Sequence, residues 1–289
     1  MPNTIVLVAA IAMASSIVFA FANHTQHIAL DFMNARAGTM VNISTTVLLL
    51  VISAPLYLEP ASLFNPSAAW FALAGLITPS LSMTLHTNSV RLLGPGLTSG
   101  LTSTAPVFAT GIAVFVLGEL VTGRTLGGTA VIACGVAFIA LRSRAMNVSW
   151  PIWALAIPLG AALTRAISHN FVKIGLTDLP SPLTAALIGS VTSMALIISI
   201  NSTSGHRMPR WNLGYPWFAL CGVLNGLGLV GLNIALTLGD VVIVAPLIAT
   251  VPAFTLLTGW LFFRREALGW SSVAVTAVIF CGCLLVISR

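Results

Sequence analysis

Apolar runs long enough to cross a bilayer follow one another along the whole of this chain. Charged residues, prolines, glycines and asparagines divide it into roughly ten such runs, and a helix needs about 20 apolar residues to span a membrane. The runs cover residues 4–22, 37–57, 67–90, 95–118, 125–142, 150–172, 181–200, 213–237, 241–263 and 268–287. The sequence therefore predicts an all-α, polytopic membrane protein with ten transmembrane helices.

The composition indicates that the chain is surrounded by lipid rather than by water. Hydrophobic residues make up 57% of the sequence and charged residues only 6%, against roughly 25% charged residues in soluble domains. The net charge of +6 comes from lysines and arginines scattered in ones and twos, so we expect the lipid bilayer and no nucleic acid as a partner. The four cysteines all lie in apolar runs, which favours packing over disulfides or metal binding. The N-terminus lacks the basic start of a signal peptide and is predicted to be the first span.

Four residue types recur in the same order at about half the chain length. Asn88, Gly94, Pro106 and Glu119 are matched by Asn233, Gly239, Pro252 and Glu266, at offsets of 145, 145, 146 and 147 residues. In both places the residues belong to a hairpin of two spans, and an internal duplication explains the recurrence. Because five is an odd number, the second copy would enter the membrane from the opposite face. We therefore expect two inverted five-helix repeats, residues 1–144 and 145–289, that form one unit.

The end of the first hairpin, LGELVTGRTLGGTAVIACGVAFIAL (residues 117–141), and the five-plus-five arrangement resemble the drug/metabolite transporter superfamily, in its ten-helix EamA-type branch. Within that branch the chain looks most like the YddG-type exporters of aromatic and other bulky amino acids. The resemblance implies a multi-pass carrier in the cytoplasmic (inner) membrane of a bacterium. It implies alternating access around a midplane cavity, a small-molecule substrate, most of all an amino acid, and a monomer or homodimer. No cofactor and no catalytic residue are expected.

The carboxylates all fall in loops or at the ends of the predicted spans. They are Asp31, Glu59, Glu119, Asp178, Asp240 and Glu266. Proton-coupled carriers commonly relay the proton through a carboxylate inside the membrane, so this distribution favours facilitated movement down the substrate gradient. The alternative is a proton-coupled exporter of other metabolites or drugs, with His86 or His169 as the relay.

Arg165 is the only charged residue well inside a predicted span. A cation there is costly unless it faces water or a partner, so we expect it to line a cavity. There its fork of donors would suit a substrate carboxylate or phosphate. The other interpretation is that Arg165 binds helix-end carbonyls or extends toward the membrane surface along the face that carries His169 and Lys173.

Polar, aromatic and proline residues near the expected midplane complete the candidate site. The predicted substrate-binding residues are Phe19, Ser82, His86, Thr102, Ser103, Trp153, Arg165, Asn225 and Thr250. The predicted kink or gating residues are Pro79, Pro106, Pro158 and Pro252. Proline removes a backbone donor and kinks a helix, which would leave a carbonyl to accept a substrate ammonium group. Serine, threonine and glycine are also ordinary contacts between membrane helices, so each has a structural interpretation as well.

Two alternatives to a carrier are a metal-dependent membrane enzyme and a passive pore. His24, His27 and Asp31 are spaced at i, i+3 and i+7 and would fit a metal if helical. They also lie between two spans, where polar residues are expected, and no nucleophile–base pair accompanies them, so we predict neither a metal site nor a metal-dependent membrane enzyme. A passive pore would need a continuous polar path, but the polar groups become sparse away from the middle of the spans.

The positive charges leave the orientation in the membrane open. The face that carries both termini has Arg124, Lys173 and Arg289. The opposite face has Arg36, Arg91, Arg142, Arg144, Arg207, Arg210, Arg264 and Arg265. Because positive residues concentrate on the cytoplasmic side, this count favours termini outside the cell, whereas the family resemblance implies termini in the cytoplasm.

Overall fold

The computed structural model describes residues 2–93, 98, 101–102, 104–142, 152–203, 208–263 and 270–288. Within these residues all regular structure is helical and no strand occurs. The α-helices are α1 Pro2–Ala29, α2 Ala35–Ser53, α3 Pro60–Leu63, α4 Ala68–Gly75, α5 Ser82–Leu93, α6 Ala105–Ile112, α7 Gly123–Arg142, α8 Ala156–Asp178, α9 Pro182–Thr203, α10 Gly214–Leu238, α11 Val241–Ile248, α12 Val251–Thr258 and α13 Trp270–Ile287. Two 3₁₀ turns, Ala54–Leu56 and Ile152–Leu155, and two π-helical segments, Ala113–Leu117 and Gly259–Phe263, extend or join them, and a kinked segment, Leu76–Leu81, links α4 to α5.

Five segments among the described residues are long and apolar enough to cross a membrane. They are Thr4–Ala29, Ala35–Leu56, Pro182–Ser202, Gly214–Leu238 and Val241–Phe262. Two shorter apolar helical segments, Ala68–Thr78 and Ala105–Leu117, lie within two further predicted runs. The all-helical class is thus confirmed.

Three predicted spans are interrupted rather than continuous. The run 67–90 breaks between α4 and α5, where Thr78 has extended φ and ψ angles of −125° and 128°. Thr78 precedes a proline, and the proline ring disfavours helical angles in the preceding residue. The run 241–263 is divided at Ala249 and Thr250, and α6 begins at Ala105, directly after a turn at Thr104.

The first helix is longer than predicted. It continues past residue 22 to Ala29 and includes Asn23 and His24. Both side chains are bonded to Thr255 of α12: Asn23 donates to the Thr255 hydroxyl over 3.3 Å, and the His24 ring lies 3.0 Å from the Thr255 carbonyl oxygen. These polar residues therefore belong to a contact between helices and not to a loop.

The helices pack around α11, whose residues Val241–Leu247 are all buried. Small residues let neighbouring helices approach closely. On α10, a Cβ at Gly222 would collide with the carbonyl oxygen of Asn42 on α2. Between α7 and α13, a Cβ at Gly128 would lie 2.7 Å from the carbonyl oxygen of Gly282.

The packing partners recur in matched pairs along the chain. Helix α1 packs on α10, and α8 packs on α4 and α5. Helix α2 packs on α10, and in the same way α9 packs on α4. Helix α1 contacts α11 and α12, and in the same way α8 contacts α6. Helix α7 also packs on α13, α2 on α9 and α6 on α11. Several contacts in the first half of the chain thus resemble contacts about half the chain length away.

Candidate functional site

Two turns with the same geometry interrupt the two predicted hairpins. Thr104 has φ and ψ of −76° and −6°, and Thr250 has −77° and −4°. Each hydroxyl donates to the carbonyl three residues earlier, over 2.7 Å to Leu101 and 2.6 Å to Leu247. Each threonine is followed by a short helix with proline in its first turn, Pro106 or Pro252, where the missing N–H costs nothing.

Sequence reasoning missed a further proline at the second turn. Pro246 lies inside α11, one turn before the interruption at Ala249 and Thr250. A proline inside a helix removes one hydrogen bond and crowds the preceding turn. Pro246 and Pro252 thus flank the interruption on both sides, and the position of Pro246 in the apolar run was the available signal.

The third interruption, at Thr78, is stabilised from a neighbouring helix. The hydroxyl of Ser193 on α9 lies 2.5 Å from the Gly75 carbonyl oxygen and 3.1 Å from that of Thr78. A broken helix leaves carbonyls without intrahelical partners, and the single hydroxyl proton of Ser193 lies within reach of two of them. The side chain of Pro79, which follows Thr78, lies outside the described atoms.

Hydrogen bonds place Arg165 at the level of this interruption. Ser168 donates to the Ala74 carbonyl over 3.3 Å, and Ser82 donates to the Ala161 carbonyl over 3.4 Å. The residue number rises from 161 to 168 on α8 while it falls from 82 to 74 on the partner segment, so α8 is antiparallel to the segment formed by α4 and α5. Arg165 lies between the two contacts on α8, and the Thr78 break lies between them on the other segment.

Arg165 lies on the buried face of α8 but has an accessible side chain. At 3.6 residues per turn, Ala161, Ala162 and Ser168 share its face and are buried, while Leu163 lies opposite and is 40% exposed. The Arg165 side chain is nevertheless exposed. Helix α8 is packed against α4, α5, α6 and α11, and the Arg165 side chain remains accessible on this packed face.

Two histidines lie near this guanidinium. Arg165 interacts electrostatically with His86 on α5 and with His169 one turn along α8. Both imidazoles are half-buried, and none of the three side chains forms a hydrogen bond or ion pair with another described residue. The structure thus brings together two of the predicted site residues, Arg165 and His86, and adds His169. We refer to these three residues as the cationic site.

Phe19 and Thr250 lie at a common level on neighbouring helices. Ser16 donates to the Leu247 carbonyl over 3.1 Å, and His24 contacts Thr255. In sequence, Phe19 lies between Ser16 and His24, and Thr250 lies between Leu247 and Thr255. The Phe19 ring covers Gly228 of α10, where a Cβ would lie 2.8 Å from the ring.

The other predicted site residues lie elsewhere. The Asn225 amide is 3.3 Å from the Asn42 side-chain oxygen, between α10 and α2. Trp153 is 63% exposed in the 3₁₀ turn before α8, and Thr102 donates to the Thr98 carbonyl over 2.9 Å. Ser103 falls outside the described residues.

Pro158 does not kink its helix. It is buried in the first turn of α8, directly after the 3₁₀ turn Ile152–Leu155. Backbone N–H groups in a first turn have no partner within the helix, so the proline is accommodated without a lost hydrogen bond.

Glu119 links the end of the first predicted hairpin to the start of α11. Gly118, with a positive φ of 70°, turns the chain after the π-helical segment Ala113–Leu117. The Glu119 carboxylate accepts hydrogen bonds from the N–H groups of Val241 and Val242, both over 2.9 Å. These groups have no partner within α11, and a carboxylate there is also favoured by the helix dipole. We call this contact the Glu119 clasp.

Lys173 binds the same turn from the other side. Its ammonium group donates to the carbonyl oxygens of Leu236 and Gly239 over 2.8 and 2.7 Å, at the carboxyl end of α10. Burial raises the pKa of Glu119, the N–H groups of Val242 and Val241 lower it, and the charges of Asp240 and Lys173 respectively raise and lower it. Sequence reasoning placed both charged residues at span ends but did not pair them with this turn.

Comparisons with known proteins fit this architecture. The sequence model of the EamA-like transporter family matches residues 4–141 and again residues 151–288. The chain belongs to the EamA-like transporter family. Membership of this family makes it a multi-pass membrane transporter of small molecules, as the sequence predicted.

Two individual proteins resemble this EamA-like transporter. An uncharacterized transporter encoded in the cobO 3′ region of Sinorhizobium sp. is 32% identical over 137 residues, which cover 46% of this chain and 94% of that protein. A protein of known crystal structure superposes with a TM-score of 0.79 at 13% identity, and the match covers 98% of this chain and 96% of the other. At that identity the second likeness concerns the fold alone.

Proposed function

We propose that this protein is a ten-helix carrier built from two inverted repeats, which moves amino acids, including aromatic or bulky ones, by alternating access. The twofold family match and the matched packing partners support the duplication. The equivalent turns at Thr104 and Thr250 place interruptions at corresponding positions of the two halves. Interrupted helices at a repeat interface are typical of substrate sites in such carriers.

The observation that carries the proposal is the guanidinium of Arg165, which is accessible on the buried face of α8 and has no hydrogen bond or ion pair with a described residue. A cation inside a membrane protein is costly and marks a functional site by default. Arginine presents several donors in a planar fork that matches a carboxylate. Arg165 therefore binds the substrate carboxylate, with His86 and His169 beside it.

The energy source follows from the distribution of acids. All five described carboxylates lie at helix ends or in connections, so a carboxylate relay inside the bundle is missing among them and facilitated exchange is the simpler mechanism. A proton-coupled exporter is the second candidate, because His86 and His169 lie beside the substrate-binding charge. The bacterial relative supports a cytoplasmic membrane location.

The deciding experiment is uptake of labelled solutes, amino acids first, into proteoliposomes with and without a pH gradient. Wild type is compared with Arg165→Ala and His86→Ala, and with Arg124→Ala as a control, because Arg124 is an exposed arginine that donates to the Ser288 carbonyl oxygen. Saturable uptake without a gradient that only Arg165→Ala abolishes supports the facilitator. Uptake driven solely by a pH gradient and lost in His86→Ala supports the proton-coupled exporter, and no uptake of any amino acid refutes the substrate class.

A further inference from the structure

Among the residues that the structure describes, no carboxylate forms an ion pair with Arg165 of the cationic site. Arg165 is charged at any physiological pH, and neutral His86 and His169 add hydrogen-bonding groups but no charge. Of the carboxylates, Glu119 is bound at the α11 terminus, Asp178 ends α8, and Asp240 lies in the turn between α10 and α11. The remaining three carboxylates, Asp31, Glu59 and Glu266, lie outside the long helices in sequence. A substrate ammonium group would therefore meet no opposite charge here.

Four backbone carbonyls at the interruptions accept hydrogen bonds from side-chain hydroxyls. The Ser193 hydroxyl binds the carbonyl oxygens of Gly75 and Thr78. The threonine hydroxyls at the other two turns bind those of Leu101 and Leu247. These bonds reduce the acceptor capacity left for a substrate ammonium group at these four positions. Pro106 and Pro252, in contrast, lack the N–H groups that would bind the carbonyls of Thr102 and Ile248 in a continuous helix.

Charge balance then distinguishes zwitterions from anions. A monoanionic carboxylate neutralises Arg165, whereas a zwitterionic amino acid leaves one net positive charge in the site. Coulomb interactions strengthen as the local dielectric falls, and an uncompensated charge away from bulk water is costly. The ammonium group of an amino acid thus adds repulsion from Arg165 without a compensating partner.

We infer that the cationic site recognises the carboxylate alone, so that its substrate class is small organic monoanions with a carboxylate group, and that the amine contributes no affinity. This inference rests on the proposed role of Arg165 in the carrier. It extends the substrate class to 2-hydroxy acids and other acids that have the same side chains but no amine.

Three ligands of nearly the same shape test the inference. Phenyllactate has the carboxylate without the amine, phenylalanine has both groups, and phenylalanine amide has the amine without the carboxylate. Binding to the full chain in lipid nanodiscs is measured by titration calorimetry at pH 7.5, with empty nanodiscs as a blank. We expect phenyllactate to bind at least as tightly as phenylalanine, and the amide to bind at least tenfold more weakly than either.

Variants at one position separate charge from shape. Arg165→Gln should weaken phenyllactate binding at least tenfold, Arg165→Lys should retain part of it, and Arg124→Gln, an exposed control, should leave it unchanged. Size-exclusion profiles and thermal midpoints show whether each variant is folded. If Arg165→Gln fails to fold, Arg165→Lys and the ligand series still decide the question.

The outcomes separate this inference from the proposed function. Phenylalanine that binds tenfold more tightly than phenyllactate, or an amide that binds as well as phenylalanine, overturns the inference while the amino-acid carrier survives. Phenyllactate that binds when no amino acid binds or is taken up supports the inference and refutes the amino-acid substrate. Binding of none of the three ligands overturns the inference for aromatic acids, and the uptake panel then decides the carrier proposal separately.

Discussion

The Glu119 clasp predicts a local opening that a single substitution should release. Val241 and Val242 are both 0% exposed, so water cannot replace the carboxylate while α11 stays in place. A buried donor left without a partner costs about 1–3 kcal/mol. Glu119→Ala orphans two donors and should therefore destabilise the clasped arrangement by at least about 2 kcal/mol, which is roughly 30-fold in the opening equilibrium.

Hydrogen–deuterium exchange measures this opening directly, because the affected groups are themselves backbone amides. In nanodiscs, a peptide that contains Val241 and Val242 should exchange roughly 30-fold faster in Glu119→Ala than in wild type. Glu119→Gln keeps one acceptor oxygen and should have a smaller effect. Glu59→Ala is the matched control, since Glu59 is an exposed carboxylate before a short helix and its side chain makes no capping hydrogen bond.

Two results would refute this reasoning. Unchanged exchange in Glu119→Ala would mean that the hydrogen bonds at the start of α11 do not hold it in place. Equal acceleration in Glu119→Ala and Glu59→Ala would mean that loss of any nearby carboxylate loosens the protein, and that the specific geometry of the clasp is irrelevant.

Three further predictions concern Glu119, Lys173 and Gly222. Burial raises the pKa of Glu119, so the clasped state binds the proton more tightly than an open state in which Glu119 has its ordinary pKa. Protonation therefore stabilises the clasped state. As the pH falls through the raised pKa, amide exchange corrected for its intrinsic rate should slow in wild type but not in Glu119→Gln. Lys173→Met removes two charge-assisted hydrogen bonds and should lower stability by about 1.5–3 kcal/mol, seen as a reduced thermal midpoint that Arg124→Met does not reproduce. Gly222→Ala forces its Cβ against the α2 backbone and should also lower the midpoint, whereas Gly111→Ala, with nothing within 4 Å of the new Cβ, should leave it unchanged or raise it.

The helical class and the candidate hairpins could be predicted because they depend on local patterns. Apolar runs of spanning length leave the backbone no partner but its own, so helices follow from hydropathy. The recurrence of Pro106 at Pro252 and of Glu119 at Glu266 is likewise visible in one dimension. The break at Thr78 could be predicted in part, because Pro79 disfavours helical angles at the residue before it. That effect alone does not decide between a kink and a complete interruption.

Contacts between distant segments could not be predicted in the same way. Glu119 and Val241 are separated by 122 residues, and no local pattern states that a carboxylate after one span meets the first turn of another. Asn225 was predicted to bind substrate from its polarity, but its amide contacts Asn42 and Cys221 between two helices. A polar side chain in an apolar run has the same appearance in sequence whether it binds a ligand or a neighbouring helix.

The division between continuous and interrupted helices suggests which parts of the carrier stay fixed. Helix α8 runs unbroken for 23 residues and carries Arg165, His169 and Lys173 at four-residue intervals along one face. Lys173 binds the turn between α10 and α11, so Arg165 and this turn are held by one continuous helix. The interruptions at Thr78, Thr104 and Thr250 lie instead in segments that pack around α8 or α11, and hinges form where few backbone hydrogen bonds must change. In the alternating-access mechanism that we propose, the interrupted segments would move around a stationary α8. The Glu119 clasp joins one interrupted segment to the other, so we expect such a movement to break it.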